Sequence, residues 1–376
     1  MPLGSSDYST AVLLDDSEDI YIIGYCYLTV AFNPGSGVYE YGLGDTKCVF
    51  LTKFDNQGKY QWVRLWFSQD DIFVSSGALN DKGEIYMTGA FSGTMDFDSG
   101  PGKSEHASRG GQDVFLFKVS EDGELIWGRS FGGKGYDRGR AVTTDGAGNI
   151  YVSGQFMNTV DFSPDESNRV EVSNGDYDIF LIKLDDDGDV IWSTAFGGSR
   201  EETCTCISTD ASEAIFIGGG FYSEIVDFDP SGRVDNHKLA MRDAYSQHSG
   251  GSEDAFISKF DLDGVFQWAR TWGGNDFDEA RHIAILNQRC LYVSDGAMIL
   301  RCYDYYGSVT SSTELPSPAT FALDAFGDIF VANGNTFITG TVSDEANLKY
   351  GSSINGHLED RHGSIILIRL CLNDGS

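Results

Sequence analysis

Carboxylates recur beside glycine pairs along this chain. Asp137 follows Gly132-Gly133, and Asp278 follows Gly273-Gly274 at the same offset. Asp7, Asp137 and Glu202 each stand 17 residues before a landmark glycine (Gly24, Gly154, Gly219), and Asp71 is a near match. Like charges gathered at one end of a fold raise one another's pKa or recruit a cation. Oxygen-only ligands suit Ca²⁺ or Mg²⁺, which makes Asp7, Asp137, Glu202 and Asp278 the candidate metal ligands and Ca²⁺ the candidate ion. Two carboxylates about 5–10 Å apart would also serve as the acid–base pair of a glycan-active enzyme. A structural role competes with both: each carboxylate can accept backbone N–H bonds from its own Gly-Gly turn.

The remaining reactive side chains show less pattern. None of the six histidines falls in a repeated landmark, and no G-x-S-x-G elbow stands between a strand and a helix, so no catalytic residue is assigned. No two histidines have helical spacing, and Cys204-Thr205-Cys206 reads as strand, which disfavours zinc. Asp185-Asp186-Asp187-Gly188-Asp189 superficially looks like an EF-hand start. Its glycine is fourth rather than sixth and no twelfth-position glutamate follows, so it reads as a hairpin turn. His237 and His248 lie in an irregular stretch over Asp229 to Gly251, and His357 and His362 in another over Glu345 to His362. These four are the candidate ligand contacts, because function on repeat scaffolds sits where the repeat is broken. The seven cysteines form no framework: Cys26 and Cys48 could face each other across two strands, or all could be buried thiols.

A repeat positions these groups. Ile20–Gly24, Ile85–Gly89, Ile150–Gly154 and Ile215–Gly219 align, with their last glycines 65 residues apart. Val30-Ala31-Phe32, Met95-Asp96-Phe97, Val160-Asp161-Phe162 and Val226-Asp227-Phe228 follow, then apolar runs ending in Lys53, Lys118, Lys183 and Lys259. A glycine and a tryptophan close each unit: Gly58 with Trp62, Gly123 with Trp127, Gly188 with Trp192, Gly264 with Trp268. Glycine and lysine are 29 apart in the first three copies and 40 in the fourth, which carries an insertion between Val226 and Ser252. Each landmark is a short β-branched and aromatic run bounded by turn residues, and no segment has a sustained helical period. In the third repeat strands A to D are expected over Gly139–Thr144, Ile150–Gly154, Asp178–Leu184 and Val190–Phe196. Four antiparallel strands repeated at this period predict an all-β propeller with the A strands lining a channel. Six blades are expected, five or seven being the alternatives. The chain reads as one domain over 1–376, with repeats at about 7–71, 72–136, 137–201 and 202–277 and degenerate blades at 278–318 and 319–376. Alignment makes Ser364–Leu370 a strand C. A plain strand count instead treats Ala319–Leu323 and Asp328–Val331 as separate strands.

The unit Asn149–Gly154, Val160–Pro164, Asp178–Asp185, Gly188…Trp192 and Phe196-Gly197-Gly198 resembles the bacterial β-propeller repeat called SBBP, over roughly Ile20 to Asp278. The resemblance implies a secreted or surface-exposed, non-catalytic propeller. The stretch Leu184 to Trp192 is similar to the blade-docking motif of pyrroloquinoline-quinone propellers, and Ser120-Glu121-Asp122-Gly123…Trp127 to the Asp-box of sialidases. Both likenesses imply that the indole packs between blades and that its N–H needs an acceptor.

The totals bound the partners. With 57 acidic and 26 basic residues the formal charge is −31, which repels nucleic acid and anionic membranes. No apolar run is long enough to span a bilayer, and the start Met1 to Asp7 shows no signal peptide. The expectation is a binding or scaffold module for a protein or glycan ligand, the alternative a glycan-active hydrolase or lyase using channel-mouth carboxylates.

Overall fold

The computed structural model describes residues 8–26, 29–31, 40–42, 47–163, 169–210, 214–233, 235–238, 253–274, 277–286, 290–295, 299–314, 323–332, 335–342 and 364–370. Asp7, His248, His357 and His362 lie outside them. Six successive antiparallel sheets follow the chain, the first five carrying four strands in the order A-B-C-D. Blade 1 comprises Tyr8–Leu14, Ile20–Cys26, Cys48–Phe54 and Tyr60–Phe67. Blade 2 comprises Ile72–Leu79, Ile85–Phe91, Asp113–Val119 and Leu125–Gly133. Blade 3 comprises Arg138–Thr144, Ile150–Phe156, Asp178–Leu184 and Val190–Phe196. Blade 4 comprises Glu202–Thr209, Ala214–Phe221, Asp254–Asp261 and Phe266–Trp272. Blade 5 comprises Ala280–Leu286, Cys290–Asp295, Ile299–Asp304 and Val309–Glu314. Among the described residues the sixth sheet has three strands, Leu323–Ala332, Asn335–Val342 and Ser364–Leu370. Ser364–Leu370 pairs with its B strand and so occupies place C. Leu323–Ala332 is one strand with two register shifts and takes in Asp328–Val331, while residues 319–322 lie outside the described residues. No described helix is long and apolar enough to cross a membrane.

The core lies between blades. In strand C of blade 2, Phe115 and Phe117 pack in a cluster with Tyr21, Leu51 and Trp66 of blade 1. Val114 and Leu116 pack in another with Val142, Val152 and Phe180 of blade 3. Successive side chains of a strand point to opposite faces, so a sheet covered on both sides reads as one unbroken apolar run.

Polar contacts join the blades at both ends. At the end carrying the A–B and C–D turns, each blade's tryptophan docks on the next blade. Trp127 Nε1 donates to the Asp186 carbonyl at 3.0 Å, Trp192 to Leu262 at 3.2 Å and Trp268 to Tyr305 at 3.3 Å. The ring lies over a turn glycine with left-handed φ (Gly188 φ 82°, Gly264 φ 79°, Gly307 φ 81°), leaving no room there for a side chain. Lys118 reaches the same turn, pairing with Asp186 and with Glu84. At the other end a small hairpin, whose first strand is the second landmark run, interrupts the B–C connection of blades 1 to 4. Thr159–Asp161 pairs with Val170–Val172 and also with Gly132-Gly133 at the end of the preceding D strand.

Many carboxylates cap turns. Asp145 Oδ1 accepts the N–H groups of Ala147 and Asn149, both at 2.9 Å; Asp15, Asn80 and Asp210 hold the equivalent places. Asp55, Ser120, Asp185, Asp261 and Asp304 do the same for the C–D turns.

Blade 1 departs from its copies at one corner. Cys26 and Cys48 are directly opposite and form a disulfide of sequence separation 22, standing where blade 2 has Phe91 and Asp113. Cys204, Cys206 and Cys302 are buried free thiols. Closing a loop of that length stabilises a fold by about 3 kcal/mol through the unfolded state. Urea unfolding with and without a phosphine reductant is expected to differ by that order, and Cys26→Ser/Cys48→Ser should be insensitive to reductant. Coincident midpoints for the oxidised and reduced protein would overturn this.

Candidate functional site at the channel mouth

The A strands of blades 1 to 5 lie next to one another in sequence and form the inner wall. Each is interrupted at one place. The register slips between Ser9 and Ala11, Val74 and Ser76, Gly139 and Ala141, Cys204 and Cys206, and Ala280 and His282. The skipped residues are Thr10, Ser75, Arg140, Thr205 and Arg281. A bulge leaves its extra residue unpaired and re-aims it, here at the same height in every blade.

Opposite the bulge in blades 1 to 4 sit the landmark glycines Gly24, Gly89, Gly154 and Gly219. A Cβ at any of them would overlap a strand A carbonyl oxygen: Tyr8, Phe73, Arg138 or Thr203 respectively. In the first three it would also press on a strand C phenylalanine. The repeated glycine therefore supplies space for the bulge.

The periodic carboxylates sit just outside this wall, at the D-to-A corners. Asp137 and Glu202 are fully buried, and Asp278 is 8% exposed. Asp137 accepts N–H bonds from Gly133 at 2.7 Å and Met157 at 3.3 Å, and Glu202 accepts one from Gly198 at 2.6 Å. A second carboxylate, absent from the sequence reading, flanks the same glycine pair from strand C: Asp113, Asp178 or Asp254, packed against Gly132, Gly197 and Gly273. Burial pushes Asp113 up to about 6, and Asp137 and Glu202 each to about 7. The neighbours Asp113 and Asp178 add to the rise at Asp137 and Glu202. The structure thus distributes Asp137, Glu202 and Asp278 over three separate corners. Among the described residues, no three His, Cys, Asp or Glu side chains come together as a metal group.

The residues facing the channel are their neighbours in sequence. A cavity of about 370 Å³ is lined by Thr10, Tyr25, Phe73, Ser75, Arg138, Arg140 and Thr205, with Val74 and Ala90 completing the wall. Arg138 Nε donates to Gln112 Oε1 at 2.8 Å, and Arg140 Nε to Gln155 Oε1 at 3.0 Å. Burial and the neighbouring Arg138 lower the Arg140 pKa, while Glu279 and Glu201 act in the opposite sense. Glu279 pairs with Arg281 at 3.4 Å. Glu253 accepts a hydrogen bond from Thr203 at 2.9 Å, and burial with Glu279 nearby pushes its pKa up to about 8. In blade 1's corner Lys47 pairs with Asp71 at 3.2 Å and lies over the Phe73 ring. Sequence alternation places Arg138 on the face opposite to Asp137 (one residue flips the face), but the bulge that turns Arg140 inward leaves no mark except the glycine across from it.

His237 lies on the short strand Asn236–Lys238, which pairs with Ile225–Asp227 in the B–C hairpin of blade 4. Its ring nitrogens share hydrogen bonds with Thr271 Oγ1 at 3.1 Å and Asp235 Oδ2 at 3.2 Å, and its ring packs edge-on to Phe228. In blade 2 His106 holds the matching place, bonded to Ser130 at 3.1 Å and stacked on Phe97 at 3.9 Å.

No family model matches the chain. It is similar to the regulatory protein FlaEY of Caulobacter vibrioides, 24% identical over 251 residues, covering 63% of this chain and 24% of that protein. It is also similar to an uncharacterized WD repeat-containing protein of Acanthamoeba polyphaga mimivirus, 23% identical over 167 residues, covering 40% of this chain and 12% of that protein. The chain thus spans about a quarter and an eighth of the curated relatives it matches. Among solved structures, the Pan2 WD40 domain of Neurospora crassa aligns with a TM-score of 0.44 and 11% identity, over 90% of this chain and 87% of that one. The RRP9 WD40 repeats align with 0.45 and 10%, over 98% and 99%. Likenesses at this level say nothing of what this chain binds.

Proposed function

We propose that this chain is a non-catalytic interaction scaffold that offers the corner side of its channel mouth to a protein partner. One observation carries the reading. The turn-capping positions repeat the same chemistry from blade to blade, whereas the mouth positions switch between aromatic, hydroxyl, cationic and anionic side chains. Phe73, Arg138, Thr203 and Glu279 occupy one register place, and Thr10, Ser75, Arg140, Thr205 and Arg281 another. On a repeat scaffold the copies diverge where a ligand must be recognised and agree where they must pack. A mouth carrying both signs of charge beside aromatic rings suits a protein surface. Asp137 accepts two backbone N–H groups and Glu202 one, which supports a structural rather than an acid–base role. The Cys26–Cys48 bond, together with the SBBP resemblance, supports an oxidising compartment outside the cytosol.

A photo-crosslinking amino acid at Ser75 or Thr203, introduced in the native host, is expected to give discrete adducts with one protein. The same residue at Asp122, in the turn at the opposite end, should give none. Equal labelling from both ends, or adducts with glycan alone, would overturn the reading.

A further inference from the structure

Arg138 and Arg140 stand side by side on one inner strand of a strongly acidic chain, and among the described residues neither has a carboxylate within ion-pair distance. Their partners are neutral. Gln112 and Gln155 each take an Nε–H, which fixes the plane of the guanidinium and leaves its two Nη groups unused by these bonds, in two arginines that both line the cavity. This is how a guanidinium is readied to grip an oxyanion: the fork is oriented in advance and its remaining donors are unspent. Burial makes the charge costly where it stands, and an anionic ligand would offset that cost. Thr10, Ser75 and Thr205 add hydroxyls to the wall, and Tyr25, Phe73, Val74 and Ala90 supply an apolar side.

We infer that this pair is a carboxylate-binding subsite, taking an acidic side chain or the C-terminal carboxylate of a peptide whose apolar part rests against Phe73 and Tyr25. The inference rests on the scaffold reading above and names the chemistry its partner must bring. One negative charge fits better than two. Glu201 and Glu279 act on Arg140, and Glu253 feels both of them, so a dianion such as phosphate meets repulsion that a carboxylate halves. Walls drawn from the A strands of four consecutive blades admit a side chain or chain end along the axis.

The test is binding of 3-phenylpropionate to the full chain, followed by NMR of the arginine Nε–H signals, with 3-phenylpropionamide and inorganic phosphate as controls. Saturable binding of the carboxylate is expected, with shifts at Arg138 and Arg140. Arg140→Gln should weaken it at least about tenfold, the scale of one charge-assisted pair. Arg138→Gln gives the same readout should the first variant fold poorly. Acetyl-Gly-Phe with a free C-terminus and acetyl-Phe-Glu-amide then distinguish chain end from side chain, and binding of either supports the subsite. Equal binding of the amide, tighter binding of phosphate, or affinity indifferent to both substitutions would overturn it. Should Arg138→Gln abolish carboxylate binding but leave the Ser75 crosslink intact, the subsite stands and the partner does not use it. Loss of the crosslink in the unsubstituted protein sinks the scaffold reading alone.

Discussion

Stability toward urea is expected to peak at about pH 5 and to fall by several kcal/mol by about pH 8. Burial raises Asp113 to about 6, Asp137 and Glu202 to about 7, and Glu253 to about 8. Their unfolded values are near ~3.9 for Asp and ~4.3 for Glu. Between those limits the folded chain keeps protons that the unfolded chain has released, so stability declines as pH rises. The contribution of each group is complete below its unfolded pKa and gone above its folded one. A raised pKa is worth about 1.4 kcal/mol per unit, so two or three units at several corners exceed what a fold of ordinary net stability can lose. Relaxation of the corners must reduce the sum to the order stated. Asp186, held at about 2 by Lys118 and Lys82, and Asp145, lowered by its turn, act oppositely. Their stabilisation is present above the unfolded value and is lost as pH falls below about 4, which sets the acid side of the optimum. Repulsion within a chain of charge −31 has the same sign as the corner effect, but salt screens it. The slope should therefore survive high NaCl and flatten in Asp137→Asn. Stability that is level or rising from pH 5 to 8 would show that the corners ionise freely.

Where packing alone dictates residue type, the sequence was readable. Strand C must be apolar on both faces, so Val114 to Phe117 announced a covered sheet. The landmark tryptophans had to find an acceptor, and the next blade's turn carbonyl provides it. The second landmark run was visible, but its pairing was not: Thr159–Asp161 and Val170–Val172 are too short to show alternation, and the hairpin also pairs with the end of the preceding D strand. The carboxylate periodicity was visible, but its cause was not. Asp137 and Arg138 are neighbours in sequence, yet one is sealed in a corner and the other lines the channel cavity. Only the Gly-Gly pair marked the corner, and it fitted a ring of ligands as well as a set of caps. Part of the acidic composition is likewise accounted for by turns that need an oxygen for two backbone N–H groups, at Asp15, Asp55, Asp145, Asp185, Asp261 and Asp304.

Gly154→Ala is expected to destabilise the protein by at least about 3 kcal/mol, far beyond the cost of a methyl group at an ordinary strand position. Gly154 does not have a left-handed φ, so backbone freedom is not what the site demands. Space is. The new Cβ would overlap the carbonyl oxygen of Arg138 and stand 2.7 Å from the Phe180 ring. The carbonyl is fixed by the bulge between Gly139 and Ala141, and Phe180 is fully buried in the core shared with blade 2. Neither can retreat without undoing either the bulge or the blade contact. Gly146 offers the contrast within the same blade. Nothing lies within 4 Å of a Cβ placed there, and its φ is unremarkable. Gly146→Ala should be neutral, or stabilising by about 0.5 kcal/mol through a less flexible unfolded chain. The two variants add the same atom, so the difference between their urea midpoints isolates the bulge from any general effect of replacing glycine. The bulge also aims Arg140, so a folded fraction of Gly154→Ala should lose the arginine shifts on adding 3-phenylpropionate, whereas Gly146→Ala should keep them. Matching midpoints for the two variants would mean that the glycine does not hold the bulge open, and the account of why it recurs at Gly24, Gly89, Gly154 and Gly219 would fall with it.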